Sequence, residues 1–385
     1  MSKYDELQSV AWRQYVRQLE KIAHLGLSSS IKNADVSLQV LAVDNMLLPA
    51  TINDSKQPDT CWINSLLNTY GLYARQEAKL VQLPYGMKPA YIMMTYIAEW
   101  LLKLGNLAGG IYAYNWLVST NLYPQHFLIS HFLEIKNQLL KQHPSQAVVF
   151  RSLTTAFHDS TLIALKNAGF LLLPTRQVWV LHDVNTQHWQ KKKDIKNDLK
   201  FEQSELALGS TVWLTHLQFT EEDFVKAIKL YQQLYREKYC IHNPDYTLEF
   251  LKMATQSGFM RLVGLKDLTT AALIGMFAII QQDDVCACPM IGYDPNSSLA
   301  SGLYRRLSLK LFEEAAKQGR HLHCSSGVDA FKHSRGALAY PEYVAVWANH
   351  FTWYQQWCIK ALSFMVNTLF EKYIFKQQFR NKKTS

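Results

Sequence analysis

The side chains most able to do chemistry crowd into one stretch of the chain, Tyr293 to Glu342. It holds Tyr293, Asp294, Tyr304, His323, Ser325, Ser326, Lys332 and Glu342. Imidazoles and carboxylates accept protons, a phenol can protonate a departing base, and a lysine or arginine can hold an oxyanion or phosphate. Tyr304 falls in the first turn of an expected helix, where its phenol either reaches a leaving group or fills a core. His323 alternates with His321 on a short strand, so the two share a face, and a proton-acceptor role stands beside a structural one. Asp294, before Pro295, suits a turn-forming side chain or an anchor for a substrate amine. Lys332 and Arg335 follow Ser325-Ser326-Gly327 and suit a phosphate or carboxylate, or remain solvated charges. Glu342, after Pro341, is either a functional carboxylate at the start of a strand or a buried partner for Arg335.

These residues need a framework, and the apolar spacing supplies one. Phe224, Ile228, Tyr231 and Tyr235 predict an amphipathic helix behind the cap Thr220-Glu221-Glu222-Asp223. A second helix is expected over 245–256, then strands over 260–265, 271–281 and 285–291. Leu303, Leu307, Leu311 and Ala315 predict a helix over 302–317, with Ser301 as its N-cap and Gly319 past its end. Strands over 321–325 and 343–347 complete the second half. The first half reads as a helix over the opening residues to Ala23, extended chain over 36–53 and 61–74, helices over 89–104 and 124–142, a strand over 147–153, a helix over 160–167 and extended chain over 171–183. The polar stretch 185–204 reads as an exposed loop or domain junction.

A chain of 385 residues with 48% hydrophobic and 18% charged residues favours two cores of ordinary size over one. We divide it into 1–205 and 206–385, the second part ending in a C-terminal helix. The opening residues have no uninterrupted apolar region, no apolar run is long enough to span a bilayer, and six scattered cysteines do not form a disulfide framework. A cytoplasmic protein is the expectation. Net charge is +9, part of it in the runs Lys191–Lys193 and Lys372–Lys383, which are solvated segments or would welcome a phosphate-rich ligand. Cys286, Cys288, His321, His323 and Cys324 fit core packing better than a metal site. Motifs for phosphate-loop nucleotide hydrolysis, serine hydrolysis, zinc proteolysis and dinucleotide redox chemistry are absent from the sequence.

The element order of the second half resembles the acyl-donor-binding core of the GNAT superfamily of acyltransferases, more closely its FemABX-like branch, in which two such folds stand in tandem. The residues that carry the resemblance are Tyr239 to Thr247, Gly292-Tyr293-Asp294, Gly302-Leu303-Tyr304-Arg305-Arg306-Leu307, Ser325-Ser326-Gly327, Phe331-Lys332 with Arg335-Gly336-Ala337, and Glu342-Tyr343. They are also similar to patterns in bacterial peptidoglycan-biosynthesis acetyltransferases. The resemblance implies an α/β (α+β) chain of tandem GNAT-like domains, with mixed sheets flanked by helices. It implies an N-acyltransferase that moves an acyl group to a small-molecule or peptide amine. No cofactor is held permanently; the co-substrate is acyl-CoA or another activated donor, carried on acyl carrier protein or tRNA. Tyr304, His323, Asp294 and Glu342 become candidate catalytic groups. Ser301, Gly302, Leu303, Arg305, Lys332 and Arg335 become candidate donor-binding groups, because a helix N-terminus offers unpaired N–H groups to anions. Where the family's loop has Arg or Gln followed by Gly-x-Gly or Gly-x-Ala, this chain has Ser297-Ser298-Leu299-Ala300-Ser301-Gly302, and only the last glycine matches. The alternative is a catalytically inactive relative that binds an anionic ligand or RNA.

Overall fold

The computed structural model describes residues 9–54, 60–78, 87–297 and 302–369. Eleven strands form one mixed sheet: β1 (Ser37–Val43), β2 (Met46–Asn53), β3 (Gly110–Ala113), β4 (Val148–Thr154), β5 (Leu171–Leu181), β6 (Thr211–Thr215), β7 (Arg261–Asp267), β8 (Ala272–Gln282), β9 (Val285–Tyr293), β10 (His321–His323) and β11 (Leu338–Trp347). The helices are α1 (Val10–Ile22), α2 (Tyr73–Glu77), α3 (Met87–Leu104), α4 (Ile129–Gln142), α5 (Asp159–Asn167), α6 (Lys193–Ala207), α7 (Glu221–Gln232), α8 (Leu248–Gln256), α9 (Leu303–Ala316), α10 (Asp329–Ser334) and α11 (Trp353–Leu369). No helix among the described residues is long and apolar enough to cross a membrane.

The order across the sheet is β1-β2-β3-β4-β11-β5-β10-β9-β8-β7-β6. The pairs β3/β4 and β9/β10 are parallel, and the other pairs are antiparallel. Leaving out the edge strand β6, which has no counterpart, exchanging β1–β5 with β7–β11 reproduces this order read from its other end. α4 joins β3 to β4 as α9 joins β9 to β10, and α5 joins β4 to β5 as α10 joins β10 to β11. Two copies of one α/β unit therefore lie side by side, and each sends its fifth strand across to pair with the other's fourth. The buried apolar residues follow suit: the largest cluster includes Tyr15, Phe132 and Phe150 together with Phe250, Met276 and Met290. All six cysteines are buried and unpaired.

The expected capping box of α7 forms where the sequence places it, whereas the N-cap of α9 is Gly302 and the expected cap Ser301 lies outside the described residues. The Thr220 hydroxyl accepts from the Asp223 N–H at 3.3 Å, and the Asp223 carboxylate accepts from the Thr220 N–H at 3.0 Å. Other expectations fail for physical reasons. Residues 61–74, read as extended, are helical over Trp62–Asn64, Asn68–Leu72 and α2. The Ser65 hydroxyl accepts from the Asn68 N–H at 3.1 Å, and Leu66, Leu67 and Tyr70 bury together. The polar stretch 185–204, read as a loop, contains most of α6, and the proposed boundary residue Glu205 lies inside that helix. Its charges are inward and paired: Asp198 is 2% exposed and receives Arg305 and Arg335, while Glu202 receives Arg306. The helix expected from Pro124 begins at Ile129, and the last strand starts at Leu338, five residues before its expected start at Tyr343.

Candidate functional site

The middle of the sheet is polar. Four adjacent strands, β4, β11, β5 and β10, contribute Arg151, Glu342, Arg176 and His323 in turn. Glu342 and Arg176 are direct partners in the β11/β5 ladder. The Arg176 Nε donates to Glu342 Oε1 at 2.7 Å and its Nη2 to Oε2 at 3.3 Å, a two-pronged pair between groups of 12% and 2% side-chain exposure. Nη2 also donates to the Ser119 carbonyl at 2.8 Å. Arg151 donates to Asn115 Oδ1 and the Val118 carbonyl, and the Trp62 ring lies 5.3 Å from its guanidinium and 5.1 Å from that of Arg176.

His323 is enclosed beside this pair. Its Nδ1 accepts from the Ser325 N–H at 3.2 Å, which assigns the ring proton to Nε2, 3.7 Å from Glu342 Oε2. Burial, helped by the charges of Arg176 and Lys332, lowers its pKa to about 3. The imidazole is therefore neutral at pH 7 and offers a donor rather than a base. Lys332 is held by the short helix α10 and donates to the carbonyls of Ser326 at 2.7 Å and Ser325 at 3.3 Å. Burial lowers its pKa to about 8, so a sizeable fraction is neutral near physiological pH.

Beside this cluster the parallel pair β9/β10 comes apart. It is hydrogen-bonded only from Val285–Ala287 to His321–His323. β9 then runs on to Tyr293, while the Cys324 N–H turns to the Trp179 carbonyl at 2.7 Å and Ser325 adopts φ +59°. Burial raises the thiols of Cys288 and Cys324 to about 12 and about 11, so both stay protonated. Tyr304 lies close to both, its ring 4.9 Å from Phe331 and 6.2 Å from Tyr293, and burial holds its phenol well above the usual value.

The remaining sequence candidates fall into place around α9. Gly302 caps it at φ +96°, and the Phe201 ring fills the space where a Cβ would stand, so only glycine fits. Leu303 is fully buried with Leu265 and Ile274. Arg305 and Arg335 converge on the Asp198 carboxylate, at 2.6 and 2.7 Å. Arg335 is thus the partner of Asp198, and the buried partner of Glu342 is Arg176. Ser301 lies outside the described residues. Asp294 stands apart from the central cluster: Lys226 donates to it at 2.7 Å and keeps its pKa low, and the Asn296 N–H donates to it at 3.0 Å as in a turn. The structure brings together His323, Glu342 and Lys332, with Tyr304 at the strand divergence.

Sequence reading missed Arg151, Arg176 and Asp198. A usable signal was there: Arg151 in Val148 to Thr154 and Arg176 in Leu171 to Leu181 are the only charged residues of two mostly apolar strands. A charge in such a strand is buried and must have a partner.

No family model matches the sequence, and no curated protein matches it. Among solved structures the chain is similar to FemX, at 8% identity and TM-score 0.49 over 88% of this chain and 91% of that one. It is also similar to L-PGS from Bacillus licheniformis, at 11% identity and TM-score 0.45 over 61% and 79% of the two chains. A tandem GNAT protein from the clavulanic acid biosynthesis pathway is similar at 10% identity and TM-score 0.35 over 81% and 98%. The chain is similar to FemX and to GNAT structures, and its own strand order carries the α/β, two-unit architecture.

Proposed function

We propose that the protein is an N-acyltransferase that moves an acyl group from an activated donor to an amine. The observation that carries this reading is the divergence of β9 from β10, with α9 beginning beside it and Tyr304, Lys332 and His323 around the opening. Divergent strands leave backbone N–H and C=O groups free for an extended donor, and the start of α9 favours its phosphates. The acyl carbonyl would be attacked by the amine. As the C–N bond forms and the bond to sulfur or oxygen breaks, Tyr304 would protonate the leaving group and the amine would lose its proton. Neutral His323 would donate from Nε2, and Lys332 would stabilise the oxyanion or take the amine proton when neutral. The donor is acyl-CoA, an acylated carrier protein or aminoacyl-tRNA, and the acceptor is a small-molecule or peptide amine. Arg305 and Arg335 flank the donor, held in position by Asp198, and we assign residues 1–209 and 210–385 to the two repeated units, so that the boundary expected at Glu205 moves to the end of α6. A cytoplasmic location belongs to the same proposal.

The test is a thermal-shift screen against acyl-CoAs, acylated carrier protein and aminoacyl-tRNA, followed by mass spectrometry of acyl transfer to an amine panel. Tyr304→Phe should keep donor binding and lower turnover by roughly 10²-fold, the usual worth of a positioned acid. Gly302 is a poor probe, since any side chain there collides with Phe201. Binding of an anion or RNA without turnover would favour instead a non-catalytic protein, to which the net charge of +9 lends support.

A further inference from the structure

Helices α3 and α11 pack together, the C-terminal part of α3 against the N-terminal half of α11, over one buried cluster. The Gln355 side chain donates to the Gly105 carbonyl at 2.9 Å, a Cβ on Gly105 would touch Cys358, and Ala98, Leu101 and Leu102 bury with Cys358, Ile359 and Leu362. α3 belongs to the insertion between β2 and β3, which the second unit, with its tight β8/β9 turn, lacks. The outward rows of both helices are largely apolar, broken on α11 by Lys360, where solvent-facing helices are normally polar. On α3, Met93, Ile97, Trp100 and Leu104 recur at i, i+4, i+7 and i+11, and Trp100 is 56% exposed. On α11, Trp353, Trp357 and Phe364 recur at i, i+4 and i+11, and Trp353 is 81% and Phe364 76% exposed. Scattered exposed apolar residues are ordinary, but two adjoining rows rich in tryptophan are not.

We propose that this face is a docking surface for the interface of an anionic lipid bilayer. Charge selects this occupant. The one acid on the two helices, Glu99, is paired with Arg75 and Lys103, and α11 carries Lys360 between Trp357 and Phe364. The chain beyond α11, residues 370–385, has five cations, Lys372, Lys376, Arg380, Lys382 and Lys383, against the single acid Glu371, and interleaves them with four aromatic residues. Tryptophan, tyrosine and phenylalanine settle at the headgroup level of a bilayer, and lysine and arginine beside them attract anionic lipid. A second copy of the chain would bring two such cationic segments together, and a nucleic acid would leave the aliphatic Met93, Ile97 and Leu104 unmatched. The inference concerns a surface, and it stands whether or not the acyltransferase reading holds.

The experiment is vesicle flotation of the full chain with phosphatidylcholine alone and with an equal mixture of phosphatidylcholine and phosphatidylglycerol. The chain should float with the mixed vesicles and far less with the neutral ones. Added salt should weaken but not abolish binding, because the apolar contribution is insensitive to screening. The exposed triple substitution Trp100→Ser, Trp353→Ser, Trp357→Ser should lower partitioning by about ten-fold or more. Brominated lipid should quench wild-type tryptophan fluorescence, a readout that holds even if the variant proves less stable. No flotation with either vesicle, or undiminished flotation of the triple variant with no quenching in the wild type, would overturn the proposal. So would self-association or RNA binding that the triple substitution abolishes while vesicle binding stays unchanged.

Discussion

Arg176 and Glu342 face each other at the centre of the sheet, where removal of either leaves a buried charge without its counter-ion. Glu342→Gln should therefore destabilise the fold by about 3–5 kcal/mol in urea unfolding, while Arg176→Met with Glu342→Leu should recover much of the loss. The neighbouring His323 gives a pH signature. Its folded pKa of about 3 lies below the ordinary imidazole value, so below neutrality the unfolded chain takes the extra proton. The associated stability is present above pH about 6.5 and is lost as pH falls toward 3, with a slope of about 1.4 kcal/mol per pH unit at most. Half-buried His158, lowered to about 4, acts in the same direction. Urea midpoints of wild type and His323→Gln at pH 7 and pH 5 check this: the variant should show the shallower loss. At this scale the sequence was legible for residue type but not for partnership. His323, Lys332 and Glu342 lie in motifs of one segment, whereas Arg176 and Asp198 reach them only through folding, and no spacing rule links residues so far apart.

Helix α6 shows how an element can be hidden by its own charges. Lys193 to Ala207 reads as a solvated loop because charged residues normally mark exposure. In the structure, Asp198 and Glu202 turn inward and anchor Arg305, Arg335 and Arg306, fastening α6 to α9 and α10. Asp198→Ala should release two arginines at once and lower stability by roughly 3 kcal/mol, read by the thermal midpoint, with hydrogen exchange rising first in α6 and α10. The strands around the site were legible where apolar runs were bounded by turns, as in β8 and β9, whereas only the second half of β11 was read. β6 went unread because it is a short edge strand with no alternation strong enough to announce it. Packing of α7 against β9 rests on Gly292, where an added Cβ would meet the Leu230 backbone at 2.6 Å. Gly292→Ala should displace α7 at a cost of about 1–3 kcal/mol, measured by chemical denaturation.

Comparable element content in the two halves hints at the repeat, but the exchange of β5 and β11 between units could not be read from the sequence, because strand pairing across more than a hundred residues leaves no local trace. Separate fragments 1–209 and 210–385 should therefore each lack a cooperative melt, and co-expression should restore one. The same exchange bears on how the chain is born. A ribosome releases β4 and β5 long before β11, the strand that belongs between them. At ordinary elongation rates that gap lasts roughly 10 to 30 s. Throughout it, two long apolar strands of the nascent first unit have edges without their final neighbour, the condition under which strands capture one another across molecules. Translation speed and chaperone supply, rather than the stability of the finished sheet, should then govern the yield of folded protein.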